Sequence, residues 1–287
     1  MSGRSPLDGP DRVPRPRAGA PASVRSEYRR VLDRFHPGLV ALATLVALAL
    51  AGTLTPARAA EHRGHGGGRP PVGCVPGSVH GLRTWRLAYA VVALRPLDAR
   101  RTLAARTGRR FGVRNVNGVP TVFGVLAERV DRSCRAIDYK VQLPVRPNGS
   151  IGWVRADHVR LRTVHTRILV DLSQRQITLF RDGRPVLVTS AVIGAPSTPT
   201  PTGEYYVNQR LRAANPTGDY GPGAVGISAF SPVLVNWPQG GPIAIHGTNA
   251  PGMIGFAVSH GCLRVRDVDI RRLLRVAEEG TPVEIRT

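Results

Sequence analysis

Ser259-His260-Gly261-Cys262-Leu263-Arg264, read with Ile245-His246-Gly247-Thr248 shortly before it, is the most informative stretch of the chain. The two segments supply one thiol and two imidazoles, the minimum parts for thiolate nucleophilic chemistry. An unperturbed thiol titrates at about pH 8.5, so only a minority is ionised at neutral pH. A neighbouring imidazole can take its proton and hold the anion as an ion pair. His260 and Cys262 are two apart, so in an extended strand they point to the same face. His246 reaches that face where the fold lays its strand alongside. Spacing alone does not choose between the two imidazoles.

The order and spacing of these segments resemble the catalytic signature of the L,D-transpeptidases of bacterial cell walls, the YkuD-type domain. Ile193-Gly194 through Pro199-Thr200-Pro201-Thr202-Gly203-Glu204-Tyr205 is similar to that family's Thr-Pro-Thr-Gly-aromatic segment. The resemblance covers roughly residues 166–287. One departure stands out: the family places Asn a few residues after the Arg, and here Asp267 occupies that place. The resemblance implies that Cys262 is the nucleophile and His246 the general base, its ring oriented by the Gly247 carbonyl. His260 then tunes the site. The backbone amides around Gly261 and Cys262 are the expected oxyanion donors, with Gly247 and Ser259 grouped with Gly261 as the oxyanion and orientation residues. Arg264 is expected either to meet a substrate carboxylate or to make a structural ion pair. Thr248, Trp237 and Tyr220 are the remaining substrate-contact candidates; the two aromatics either stack on substrate or pin their loop. The implied reaction releases D-alanine from a wall tetrapeptide stem, leaves a thioester on Cys262 and passes the acyl group to an amine. It needs no cofactor and no metal.

Two rival readings use the same residues. A His/His/Cys zinc site would make the chain a metal-dependent wall peptidase, but no His-Glu-x-x-His acid/base accompanies it. A wall-binding protein with a degenerate catalytic shell is the other, and the presence of both histidines and the thiol argues against it.

The formal charge is +21, and Lys140 is the only lysine, so the basicity is almost all arginine. The arginines are scattered, with no zinc finger, helix-turn-helix or RNP-like pattern, which excludes a recognisable nucleic-acid reader. Attraction to anionic wall polymers fits better. Residues 1–37 are polar and rich in Pro and Arg, the composition of a disordered segment. Residues 38–59 hold an uncharged apolar run ending near Ala57-Arg58-Ala59, which reads as a secretory signal peptide. The alternative is an uncleaved membrane anchor at the short edge of spanning length. Either places the remainder outside the cytoplasmic membrane, in the wall, the periplasmic space or the medium. Cys74 and Cys134 then form a disulfide and leave Cys262 free, or all three are independent thiols.

Residues 60–73 form a Gly/Pro linker in which His62 and His65 read as solvated rather than metal-binding. Residues 74–163 carry short strand-like runs. Tyr139–Val145 and Ile151–Val154 flank Asn148-Gly149 and predict a hairpin. The ending Gly152-Trp153-Val154-Arg155-Ala156-Asp157-His158-Val159 is similar to the close of bacterial SH3-like modules, which implies a small β-barrel with Trp153 as a packing residue. Residues 164–287 form the catalytic domain. Arg167–Leu172, Gln176–Arg181 and Pro185–Ile193 read as strands, with Asp182-Gly183 as a hairpin turn. The Gly-, Pro- and Asn-rich stretch 208–241 reads as a lid. Ile270, Leu273, Leu274 and Ala277 recur at helical spacing, with Asp267 as N-cap and Gly280 as the stop. The fold class expected is mainly β, with a short C-terminal helix after the Cys and a small SH3-like β-barrel upstream.

Overall fold

Runs of β-branched and small apolar residues, punctuated by Gly, Pro and Asp-Gly turns, build eighteen strands and one α-helix within residues 74–287. Those are the residues that the structure, a computed structural model, describes. The basic N-terminus (1–37), the apolar segment (38–59) and the linker (60–73) with His62 and His65 lie outside them. Among the described residues no helix is long and apolar enough to cross a membrane.

The upstream strands are β1 (Val79–Gly81), β2 (Ala88–Ala93), β3 (Leu97–Ala99), β4 (Arg109–Phe111), β5 (Val122–Val130), β6 (Ala136–Gln142), β7 (Ile151–Arg155) and β8 (Val159–Val164). Six of them form an antiparallel sheet in the order β7-β6-β5-β2-β8, with β1 added to β5, and β3 and β4 pair separately. Val91, Phe123, Val141 and Val154 fill its core. Trp153 is only half-buried; it is its neighbour Val154 that enters the core, because alternation along β7 sends the two side chains to opposite faces. The expected hairpin is present, with Gln142 opposite Ile151. Asn148-Gly149 does not make a two-residue turn; it sits in the wider connection 143–150. Cys74 and Cys134 are joined in a disulfide, Cα to Cα 6.3 Å, which ties the start of the described chain to the β5–β6 turn. Closing a loop across a sequence separation of 60 lowers unfolded-chain entropy by about 4 kcal/mol at room temperature.

The chain changes sheets at His165. The second set is β9 (Thr166–Asp171), β10 (Gln176–Arg181), β11 (Arg184–Ser190), β12 (Ile193–Gly194), β13 (Gly203–Arg212), β14 (Gly223–Phe230), β15 (Pro242–His246), β16 (Ala257–Ser259), β17 (Leu263–Arg264), α1 (Asp267–Val276) and β18 (Pro282–Arg286). Eight of these strands form one sheet, β11-β10-β9-β18-β13-β14-β15-β17. Asp182 and Gly183 both take positive φ, 50° and 79°, the primed turn their sequence calls for. Ile270, Leu273 and Ala277 seat α1 on the sheet against Ile227, Ile245 and Leu263. The mainly β class with one helix after the Cys is therefore the observed one.

Three local expectations are corrected. The stretch 208–241 is not one irregular lid: it contains the end of β13 and all of β14, separated by the loops 213–222 and 231–241. Gly223-Ala224-Val225-Gly226-Ile227-Ser228-Ala229 is buried on both faces between β13 and β15, so it shows no polar alternation. Asp267 does not cap α1; Arg266 is the N-cap and makes no side-chain cap bond. The helix ends at Val276 with Ala277 as its C-cap, and Gly280 lies beyond it in the turn before β18.

The two sheets meet along β5 and β13. Tyr206 is fully buried, donates its hydroxyl to the Val122 carbonyl at 3.1 Å and lays its ring where Gly124 leaves room. Burying a side chain of that size contributes about 2–3 kcal/mol. Arg83 pairs with Glu204, and Gln142 donates to the Glu204 carbonyl at 3.1 Å.

Candidate active site

β15 and β17 run parallel, with Ile245 opposite Leu263 and His246 opposite Arg264. Ile243, Ile245, Leu263 and Val265 point into the core. Period-two alternation therefore sends Ala244, His246 and Arg264, and Cys262 at the mouth of β17, to the other face. This register puts the thiol and one of the two predicted imidazoles, His246, on the same face of the sheet. It exists because each strand carries an apolar residue at every second position.

His246 is buried, at 4% exposure. Its Nδ1 lies 2.6 Å from the Gly247 carbonyl. A carbonyl can only accept, so Nδ1 carries the proton and Nε2 keeps its lone pair. Burial pushes the ring's pKa down to about 4; the bond to Gly247 opposes this, and the Arg264 charge adds to it. At neutral pH the ring is an uncharged base. The tilted ring of Tyr220 lies over it, centroids 4.6 Å apart.

Cys262 is half-buried and is the only free cysteine. Burial raises its pKa, while hydrogen bonding from the Ala244 backbone and the Arg264 charge pull the other way. Its Sγ points to the Pro242 carbonyl at 3.9 Å. The resting pair is thus thiol plus neutral imidazole, without a preformed ion pair.

The loop holding the sulfur is clamped from both sides. Gly261 has φ 107°, a left-handed backbone that a side chain would strain. Its N–H donates to Ser259 Oγ at 3.1 Å, and its carbonyl accepts from Thr200 Oγ1 at 2.9 Å. Ser259 Oγ donates to the Cys262 carbonyl at 2.6 Å, and Thr198 Oγ1 donates to the Ser259 carbonyl at 2.8 Å. The Gly261 amide, expected as an oxyanion donor, is therefore committed to Ser259. Thr198 and Thr200, which the sequence marked only as part of a motif, are the residues that fix the turn.

His260 departs from its expected place. The chain leaves strand geometry between β16 and β17 at Gly261, so alternation does not carry from His260 to Cys262. His260 is exposed, and its ring stacks on Trp237 with centroids 5.6 Å apart. Tyr220 and Trp237, from the two loops flanking β14, thus stand over one histidine each. The loop 231–241 is held by the connection between β6 and β7. Arg146 donates to the carbonyls of Ser231 (2.5 Å) and Gly240 (2.8 Å). Asn148 accepts from Phe230 N and donates to Phe230 O, both at 2.9 Å. Thr248 is buried and its hydroxyl accepts from Ala250 N at 3.1 Å, which shapes its own turn. Arg264 lies beside both reactive groups with its Nε buried and unpartnered. Among the described residues no group of three or more His, Cys, Asp or Glu side chains is placed to hold a metal ion.

Asp267 carries the loop after His246. Its Oδ1 accepts from Thr248 N at 3.1 Å, and a Cβ at Gly221 or Gly247 would run into that oxygen. Asp267→Asn keeps this acceptor, and its unfolding free energy should stay within about 0.5 kcal/mol of native. Asp267→Leu leaves the Thr248 amide unpaired and crowds both glycines, and should cost about 2–3 kcal/mol. Denaturant unfolding of the two variants measures the difference; equal stabilities would refute the role.

Residues 165–285 match the sequence profile of the L,D-transpeptidase catalytic domain, YkuD. The YkuD protein of Bacillus subtilis, an L,D-transpeptidase by name, is 35% identical over 123 residues, which is 43% of this chain and 67% of that protein. YbiS of Escherichia coli, likewise an L,D-transpeptidase by name, is 31% identical over 138 residues; the match takes in 42% of this chain and 45% of that protein, under half its length. Among solved structures, the catalytic domain of an E. faecium L,D-transpeptidase acylated by ertapenem is 29% identical, with a TM-score of 0.33, and covers 42% of this chain and 96% of that one.

Proposed function

The chain belongs to the L,D-transpeptidase (YkuD) family, and on that premise we propose that Cys262 is the nucleophile of a two-step acyl transfer on peptidoglycan stem peptides. The observation that carries the proposal is the β15–β17 register, which sets Cys262 and a neutral His246 with a bare Nε2 on one face. In the first step Sγ attacks the carbonyl of the third stem residue while Nε2 takes the thiol proton. The oxyanion falls to the Cys262 amide, since the Gly261 amide is already bonded. The intermediate collapses by breaking the bond to the terminal D-alanine, whose amine receives the proton from Nε2. A thioester remains. In the second step an acceptor amine attacks the thioester, its proton passes to Nε2, and the thiolate leaves and is reprotonated. Arg264, Trp237 and Tyr220 border this path. Proton transfer within a buried pair suits a site whose environment disfavours both charged forms.

The Cys74–Cys134 disulfide supports export to an oxidising compartment, where the stem peptides and anionic wall polymers are. The experiment is intact mass spectrometry of the native chain after exposure to a disaccharide-tetrapeptide. The expected product is one adduct equal to the stem less its D-alanine, with free D-alanine released and no effect of a chelator. Neither adduct nor D-alanine, or full loss of both on chelation, would overturn the reading.

A further inference from the structure

A cavity of about 520 Å³ lies between the upstream sheet and the β14–β15 connection. We propose that it is a subsite for an acidic peptide, the carboxylate-bearing stem of the substrate. Arg109, Arg110, Arg114 and Arg146 line it with Phe111 and Phe230, and no Asp or Glu does. Arg110 has only Asp98, at 3.5 Å. Arg114 spends one NH on the Gly118 carbonyl, and Arg146 is held by backbone carbonyls and by the Phe230 ring, 5.5 Å from its centroid. Arg109, Arg110 and Arg114 are exposed and Arg146 is half-buried, so their summed positive field, screened by solvent, draws a carboxylate to this wall. The guanidinium fork matches a carboxylate with two parallel hydrogen bonds. The volume is that of a pocket for a short segment, not a track for a long polymer. Pro242 forms part of its wall, and the same residue's carbonyl is the one that Cys262 Sγ faces at 3.9 Å. Cys262 does not line the cavity; Pro242 is the wall the cavity shares with the nucleophile's surroundings.

The arginines all precede residue 165, where the family match begins. The upstream segment supplies the charges that read the stem, and Asn208, Gln209, Phe230 and Pro242 of the catalytic segment complete the wall. The inference rests on the stem-peptide reading above. Binding is measured on the full chain carrying Cys262→Ala, which prevents turnover. The probes are a disaccharide-tetrapeptide with free carboxylates, the same compound amidated, and a poly(glycerol phosphate) oligomer. The free acid should bind about tenfold tighter than the amide. Arg109→Gln combined with Arg114→Gln should abolish that preference, and raised salt should shrink it. Equal affinity for acid and amide, a preference that survives the double substitution, or displacement of the acid peptide by the phosphate oligomer would overturn the subsite. Carbapenem acylation of the native chain is read separately. A chain that acylates but ignores stem charge loses this subsite alone, whereas one that does not acylate loses the stem-peptide reading.

Discussion

Cys262→Ala takes no acyl adduct: a carbapenem that adds one equivalent to the native chain adds none to the variant. The chain has three cysteines, and two are tied to each other in the upstream sheet, so no second thiol can substitute. Turnover on a stem peptide falls by about 10⁶-fold, the scale of removing a covalent nucleophile. The fold survives, because Sγ makes only weak contacts, to the Pro242 carbonyl and the Ala244 backbone, and the loop is held by Ser259, Thr198 and Thr200 through bonds that do not involve the sulfur. A change within about 1 kcal/mol in unfolding free energy is expected. Cys262→Ser separates chemistry from shape further. Its hydroxyl is close in size to the thiol but ionises far less readily, so acylation by a general base that is itself only weakly basic slows by orders of magnitude. An adduct on the alanine variant, or a serine variant that acylates at the native rate, would remove Cys262 from the mechanism.

Local chemistry decided which parts of this molecule the sequence revealed. The hairpin of β10 and β11 was legible because Asp182-Gly183 is a short-range signal and the flanking runs alternate. α1 was legible because Ile270, Leu273 and Ala277 recur on one stripe. β14 was hidden, since a strand buried on both faces and made of Gly, Ala and Ser has the composition of a loop. The thiol and His246 were readable from residue type and from the resemblance. Their shared face depends on the parallel β15–β17 register, which no short window encodes. His260 was misplaced because one residue with positive φ, Gly261, ends the alternation that the argument used. Asp267 looked like a cap, and only the packed structure shows its carboxylate turned back onto Thr248. The grip of Arg146 and Asn148 on the loop 231–241 joins residues more than eighty positions apart. Contacts of that separation leave no local trace.

His246→Gln should slow acylation of Cys262 by about 10²- to 10⁴-fold, the range a positioned general base supplies. The amide can still donate to the Gly247 carbonyl, so the loop keeps its anchor while the proton acceptor is lost. The pH profile distinguishes this from a structural defect. In the native chain the reactive form has a neutral imidazole and a protonated thiol. The rate should rise as pH increases through about 4, where burial has moved the ring, and stay level across neutrality, since the thiol's pKa is raised. In the variant the only nucleophile is thiolate made by bulk base, so its rate should climb throughout the neutral and alkaline range. Stability carries the same signature. Unfolded His246 binds a proton below about pH 6.5, whereas the folded ring does so only near 4. Between those values the unfolded state holds more protons, so stability is full above the upper value and declines as pH falls toward the lower. The whole loss is about 3 kcal/mol at 1.36 kcal/mol per unit. His246→Gln should remove that part of the acid slope while the rest persists. A native acylation profile with its acid limb at or above the ordinary histidine value would mean that burial does not hold the ring neutral and that it is protonated below that value. The neutral-base mechanism would then fail even if Cys262 kept its role.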